Sequence, residues 1–197
     1  FEWYFLNNWK NDTEHMRQNA VVFRGHTADV YFVAESPDGT MIASASKDHT
    51  VRLWNSNTGE LIRVLSGHTS EVNCLSFSPD VRTLASASDD RTVRIWDVKT
   101  GQELWSLKDF EQIVIRVQFS PDGRKLAVTE AILASSDATT TIWDVAARSV
   151  SSRLENQLIL RFVPNGTAIA TISKDTVIRI IDLMTTTVQT TITTIGD

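Results

Sequence analysis

The sequence predicts an all-β chain assembled from four tandem units of about 42 residues, each folding as four short antiparallel strands. Three observations predict it. A Ser-Pro-Asp-Gly turn at Ser36–Gly39 returns as Ser78–Val81, Ser120–Gly123 and Val163–Gly166, so Pro37, Pro79, Pro121 and Pro164 fall 42, 42 and 43 residues apart. A second mark, Trp54-Asn55, Trp96-Asp97, Trp143-Asp144 and Ile181-Asp182, follows those prolines at 17, 17, 22 and 17 residues. Between the marks the segments are short and rich in β-branched residues, and no window outside the N-terminus sustains a helical period.

In chain order, residues 1–18 come first, an aromatic segment in which Phe1, Phe5 and Trp9 fall on one helical face. They are expected to be the end of an upstream helical region, with a rim-packed segment and a partner-binding peptide as the other readings. Gln18–Arg24 aligns with Glu60–Ser66, the fourth strand of the first unit, and so reads as an orphan fourth strand. The second unit is the clearest. Val72–Phe77 is a strand stopped by Pro79, because proline at the second turn position fixes φ and cannot donate to a ladder. Thr83–Ser88, Thr92–Trp96 and Glu103–Leu107 follow, separated by turn residues.

Composition narrows the function classes. The 42% apolar and 22% charged shares are those of a globular protein. A net charge of −5 with no basic cluster argues against a nucleic-acid binder. No apolar run reaches the length of a membrane span, so no membrane partner is expected. One cysteine, Cys74, excludes an internal disulfide, suits a reducing, cytoplasmic compartment, and reads as a small core residue inside its strand.

The Gly25-His26 and Gly67-His68 pairs, each twelve residues before its proline, complete the pattern. With the Ser-Pro-Asp-Gly turn and the closing Trp-Asp, the chain resembles the WD-repeat β-propeller family over about residues 19–195. The first two units are near the family pattern and the last two diverge. The resemblance implies one four-stranded blade per unit, with repeats at about 25–66, 67–108, 109–151 and 152–195 and a propeller domain over 19–197. Seven blades are usual in the family, so four blades plus an orphan strand imply an incomplete, open propeller, a fragment lacking about three blades. The orphan's partners are expected beyond Asp197, and open blade edges to pair with missing blades or another chain.

Ser, His and Asp recurring together invite a hydrolase reading. The resemblance implies instead two structural hydrogen-bonded tetrads: His26, Ser44, Asp48 and Trp54, and His68, Ser86, Asp90 and Trp96. No Gly-x-Ser-x-Gly elbow accompanies them, and a site duplicated every 42 residues suits a stabilising pattern better than catalysis. His15, His26, His49 and His68 show no metal-ligand spacing, and no phosphate-cradling glycine loop occurs. Neither metal nor cofactor is expected. In the third unit Phe110 stands for histidine, and five surplus residues are placed within Ala127–Leu133, bulging the second strand. In the fourth, Arg153 stands for histidine and Ile181 for tryptophan, while Thr171 and Asp175 remain.

The expected function is a non-enzymatic scaffold binding other proteins or peptides on a rigid loop face. The alternative is a sensor or autoinhibitory module of a larger signalling NTPase or other multidomain protein. By resemblance, the partner-contacting positions are Asp29, Tyr31 and Lys47; Glu71, Asn73 and Asp89; Ile113, Ile115 and Ser136; and Asn156, Leu158 and Lys174. Tyr31 is the expected aromatic anchor, and Ile113 and Ile115 are expected as exposed apolar groups.

Overall fold

The computed structural model describes residues 4–5, 20–108, 110–131 and 138–193. Two short strands, β1 (Tyr4–Phe5) and β2 (Val21–Val22), pair antiparallel. Four antiparallel four-stranded sheets follow. The first blade holds β3 (Val30–Glu35), β4 (Met41–Ser46), β5 (Thr50–Asn55) and β6 (Leu61–Ser66). The second holds β7 (Val72–Phe77), β8 (Thr83–Ser88), β9 (Val93–Asp97) and β10 (Glu103–Leu107). The third holds β11 (Ile113–Phe119), β12 (Lys125–Ala131), β13 (Ala138–Asp144) and β14 (Ser149–Leu154), and the fourth β15 (Leu158–Phe162), β16 (Ala168–Ile172), β17 (Val177–Asp182) and β18 (Val188–Thr193).

The Ser-Pro-Asp-Gly turns are built identically in the first three blades. Ser36, Ser78 and Ser120 each donate a 2.6 Å hydrogen bond to the aspartate two residues on. Each serine oxygen also accepts from the backbone that starts the next strand, at Met41, Thr83 and Lys125. The fourth blade lacks the serine, and Asn165 alone accepts from Thr167.

Cross-strand partners share a face of the sheet, and this sorts every blade the same way. One face carries Leu53 opposite Ala43, Ile95 opposite Ala85, and Ile142 opposite Ala127. The other carries Trp54 opposite Ile42, Trp96 opposite Leu84, Trp143 opposite Leu126, and Ile181 opposite Ile169. The core is the first kind of face packed on the second kind of the next blade. Ala43, Val51, Leu53 and Leu65 meet Leu75, Phe77, Leu84 and Trp96, and the same contact recurs at the next two junctions. Alanines in β4, β8 and β12 let the sheets approach. Backbone donors are tied across the junctions too: Phe119 N donates to Ser76 Oγ at 3.0 Å and Phe162 N to Gln118 Oε1 at 3.2 Å.

Four expectations need correcting. The β2 segment does cross the first blade's β5–β6 turn as β6 crosses the second's. A Cβ on Gly59 would lie 2.9 Å from Val21 Cγ1, and one on Gly101 would lie 3.1 Å from Arg63 Cδ. Among the described residues its partner is β1. Phe5 therefore lies on a strand rather than a helical face; Phe1 and Trp9 fall outside the described residues. Second, the surplus in the third blade leaves β12 unbulged against β13: their register runs without a shift from Lys125 to Ala131. One residue lengthens each strand relative to β4 and β5, and the other three fall within 132–137, outside the described residues. Third, the boundary at 151/152 cuts β14, whose pairing continues to Leu154 opposite Thr140. Fourth, Ile113 and Ile115 are not exposed; both are half-buried, because β11 lies between β7 and β15.

Candidate functional site

The β6–β7 loop brings His68 against the β8–β9 turn, and residues 24–29 bring His26 against the β4–β5 turn. In the first blade Trp54 Nε1 donates to Ser44 Oγ at 2.8 Å. His26 Nε2 is 2.7 Å from Ser44 Oγ, and His26 Nδ1 is 2.8 Å from Asp48 Oδ2. The second blade repeats this: Trp96 Nε1 to Ser86 Oγ at 2.8 Å, His68 Nε2 to Ser86 Oγ at 2.7 Å, and His68 Nδ1 to Asp90 Oδ2 at 2.7 Å. The donor inventory fixes the direction. A carboxylate only accepts, so Nδ1 carries the proton; Nε2 of the neutral ring then accepts from the serine hydroxyl, whose oxygen takes the indole N–H.

The electrostatics agree with a neutral ring. Burial holds the His26 pKa below its ordinary 6.5, outweighing the opposing pull of Asp48. Burial alone would push the Asp48 carboxyl up, but donors from Thr50, the Thr27 backbone and His26 together hold it well below the carboxylate range. Asp90 is held low in the same way by His68, Thr92 and the Thr69 backbone. Each serine is thus engaged by both an indole and an imidazole. Ser44 is 5% exposed and Ser86 fully buried, so neither offers a nucleophile to a substrate. Burial also pushes the Cys74 thiol up, and Cys74 packs in the core between the second and third blades.

The third and fourth blades reach different solutions. Phe110 takes the histidine's place, its ring 6.3 Å edge-on from Trp143, against 6.1 and 6.2 Å for the two histidines. The register puts Val128 where Ser44 and Ser86 stand. Trp143 Nε1 is accordingly buried without a partner. Glu130, also buried, accepts from the Gln112 backbone at 3.2 Å and lies 3.8 Å from Arg153. Arg153 is therefore an outer-strand residue that pairs with Glu130 and Glu155, not a substitute for histidine. That place belongs to Gln157, whose Oε1 accepts from Thr171 Oγ1 at 2.7 Å while its backbone carbonyl accepts from Thr140. Asp175 turns to Ser173 and Arg179.

Of the residues expected on the loop face, those of the first two blades converge. Tyr31 donates to Glu71 Oε2 at 2.7 Å, and Lys47 Nζ lies 3.3 Å from Glu71 Oε1. The Glu71 carboxylate pushes the Tyr31 hydroxyl pKa up. Asn73 donates to Asp89 at 2.6 Å and to the Val114 carbonyl at 3.0 Å, reaching the third blade. Asp29 is exposed beside them, and its backbone carbonyl accepts from Ser46. Asn156 and Lys174 are exposed on the fourth blade and Leu158 is half-buried; Ser136 lies outside the described residues. Among the described residues no group of three or more His, Cys, Asp or Glu side chains could hold a metal ion, and no helix is long and apolar enough to cross a membrane.

Compared with known families, residues 17–55, 59–97 and 101–144 match the WD domain, G-beta repeat. The chain belongs to the WD-repeat family. A stretch of 45 residues is 47% identical to protein HIRA of Zea mays, covering 23% of this chain and 5% of that protein. Over 31 residues it is 61% identical to the Arabidopsis thaliana protein cell division cycle 20.6, cofactor of APC complex, covering 16% and 7%. Over 42 residues it is 45% identical to eukaryotic translation initiation factor 3 subunit I of Aspergillus oryzae, covering 21% and 12%. The chain thus spans a small fraction of the length of each. WD repeats are typical of protein-interaction scaffolds, and two of these relatives are by name a cofactor of a complex and a subunit of a translation initiation factor.

Proposed function

We propose that this WD-repeat chain is a non-enzymatic scaffold that docks a protein or peptide on the loop face of its first two blades. The observation that carries the reading is the Tyr31–Glu71–Lys47 cluster. It joins adjacent blades, it is held by a 2.7 Å hydrogen bond and a 3.3 Å ion pair, and Tyr31 remains 43% exposed. A tyrosine fixed by its hydroxyl offers a rigid apolar ring at low entropic cost, which is what an interface anchor needs. Asn73, Asp89 and Asp29 extend the surface with polar groups. The tetrads beneath hold the loops in place rather than contact the partner. Crosslinking mass spectrometry tests this. Proteins crosslinked through Lys47 by the wild-type chain should be lost with Tyr31→Ala and retained with Lys174→Ala. An unchanged set with Tyr31→Ala refutes the face assignment.

A further inference from the structure

At the opposite end of the strands, a cleft of about 490 Å³ opens between the first and second blades. That is the size of a small-ligand or side-chain site. Its apolar wall is Met41, Ile62, Val81 and Val98, and its charged rim is Arg63, Arg82, Lys99 and Asp97. Val81 is the unusual member. The other three units carry glycine there, Gly39, Gly123 and Gly166, at φ of 71°, 71° and 72°. Val81 adopts φ 61°, a conformation that a β-branched residue adopts only at a cost. Its side chain packs against the core formed by the first two blades, beside Met41, and so supplies apolar wall that glycine would not.

The next junction shows what fits such a place. There the position of Arg63 is taken by Trp105, which packs against the core with Val145, the counterpart of Val98. Arg148 lies over the Trp105 ring at 5.2 Å. In the first junction no aromatic side chain among the described residues plays that part, and Arg63 leaves its Nε buried without a hydrogen-bond partner. Three cations line the rim against one carboxylate, Asp97, which Thr100 already engages through its backbone N–H and hydroxyl. Asp80, which is not part of the lining, is 3.8 Å from Arg82 in a pair exposed on both sides.

We propose that this cleft binds a peptide segment carrying one large apolar side chain, an aromatic above all, flanked by acidic residues. The ring inserts over Met41, Val81 and Val98 as Trp105 packs at the neighbouring junction, and the flanking carboxylates meet Arg63, Arg82 and Lys99. The site is independent of the loop face, because it lies at the other end of the strands.

Fluorescence anisotropy with a fluorescein-labelled Asp-Glu-Trp-Glu-Asp peptide tests the proposal. Saturable binding is expected that weakens with added salt. A basic-flanked Lys-Lys-Trp-Lys-Lys peptide and an Asp-Glu-Ala-Glu-Asp peptide should bind far less. Reversing both exposed cations, Arg82→Glu with Lys99→Glu, should weaken binding about tenfold or more. Val81→Gly, which restores the turn residue of the other units and so keeps the fold, should weaken it through loss of the wall. Tyr31→Ala should leave it unchanged, separating this site from the loop face. No saturable change up to about 1 mM peptide, equal binding of the basic or alanine peptides, or wild-type affinity in the charge-reversed chain would each overturn the proposal.

Discussion

The second blade can be rebuilt with the third blade's side chains, and the tetrad geometry then dictates a non-additive result. Ser86→Val alone leaves two buried groups without partners: Trp96 Nε1, which donates to Ser86 at 2.8 Å, and His68 Nε2, which is 2.7 Å from it. Trp96 is 2% and His68 7% exposed, so water does not replace the serine. At about 1–3 kcal/mol for each stranded group, the variant should lose about 2–6 kcal/mol. His68→Phe alone removes the donor to Asp90 and strands the Ser86 hydroxyl, a loss of similar size, about 2–6 kcal/mol. Made together, the two changes reproduce Phe110 and Val128. Neither the ring nitrogen nor the hydroxyl then exists to be stranded, and only Trp96 Nε1 lacks a partner, as Trp143 Nε1 does. The double variant should be more stable than the sum of the singles by about 2 kcal/mol. Urea unfolding followed by tryptophan fluorescence, with midpoint and slope for all four proteins, measures the coupling. Additive losses would refute the chain of donors running from Trp96 to Asp90.

Further outcomes follow from the same contacts. Because the folded His26 pKa lies below the ordinary 6.5, the unfolded chain binds a proton that the folded chain does not. Stability should therefore fall as pH drops below about 6.5, with the low Asp48 and Asp90 carboxyls adding losses below about 4. Urea midpoints across that range check the sign, and His26→Phe should flatten the upper part. Gln157→Ala should cost about 1–2 kcal/mol by stranding the buried Thr171 hydroxyl, measured by thermal unfolding. Leu154 and Ile192 occupy equivalent outer-strand positions, opposite Thr140 and Ile178, yet Leu154 is 7% exposed and Ile192 52%. Leu154→Lys should therefore cost about 3 kcal/mol or more, and Ile192→Lys less than about 0.5 kcal/mol.

The period and the tetrads were legible in the sequence because each mark has a chemistry of its own. Proline stops a strand, a serine–aspartate pair closes the turn after it, and a buried indole needs an acceptor at a fixed register. In the fourth blade the spacing misleads because its loop is shorter. Leu65 to Phe77 and Leu107 to Phe119 each span 12 residues, while Leu154 to Phe162 spans 8. Counting back from Pro164 therefore overshoots the loop and lands on Arg153, inside β14. Counting forward from the buried outer-strand leucine, three residues as in Leu65–His68 and Leu107–Phe110, lands on Gln157. The surplus in the third blade is not placed by spacing, because spacing alone does not separate a bulge within one strand from longer pairing of two strands, which here runs to Ala131 opposite Ala138.

The same physics explains why the third blade gives up histidine and serine together. A serine between an indole and an imidazole serves two buried groups, so losing it alone strands both. With phenylalanine at 110 the imidazole's demand disappears, and the place of the serine can be filled by Val128, which is 1% exposed and packs with Phe110 in one core cluster. What remains is a single unpartnered N–H on Trp143, set against the added apolar surface of Phe110 and Val128 in the cluster that Trp143 packs on. The tetrad is therefore better described as one unit than as four positions. Its members trade in pairs set by the hydrogen bond they share, and Gln157 with Thr171 in the fourth blade is a second such pair, a 2.7 Å bond standing where histidine and serine stand in the first two blades.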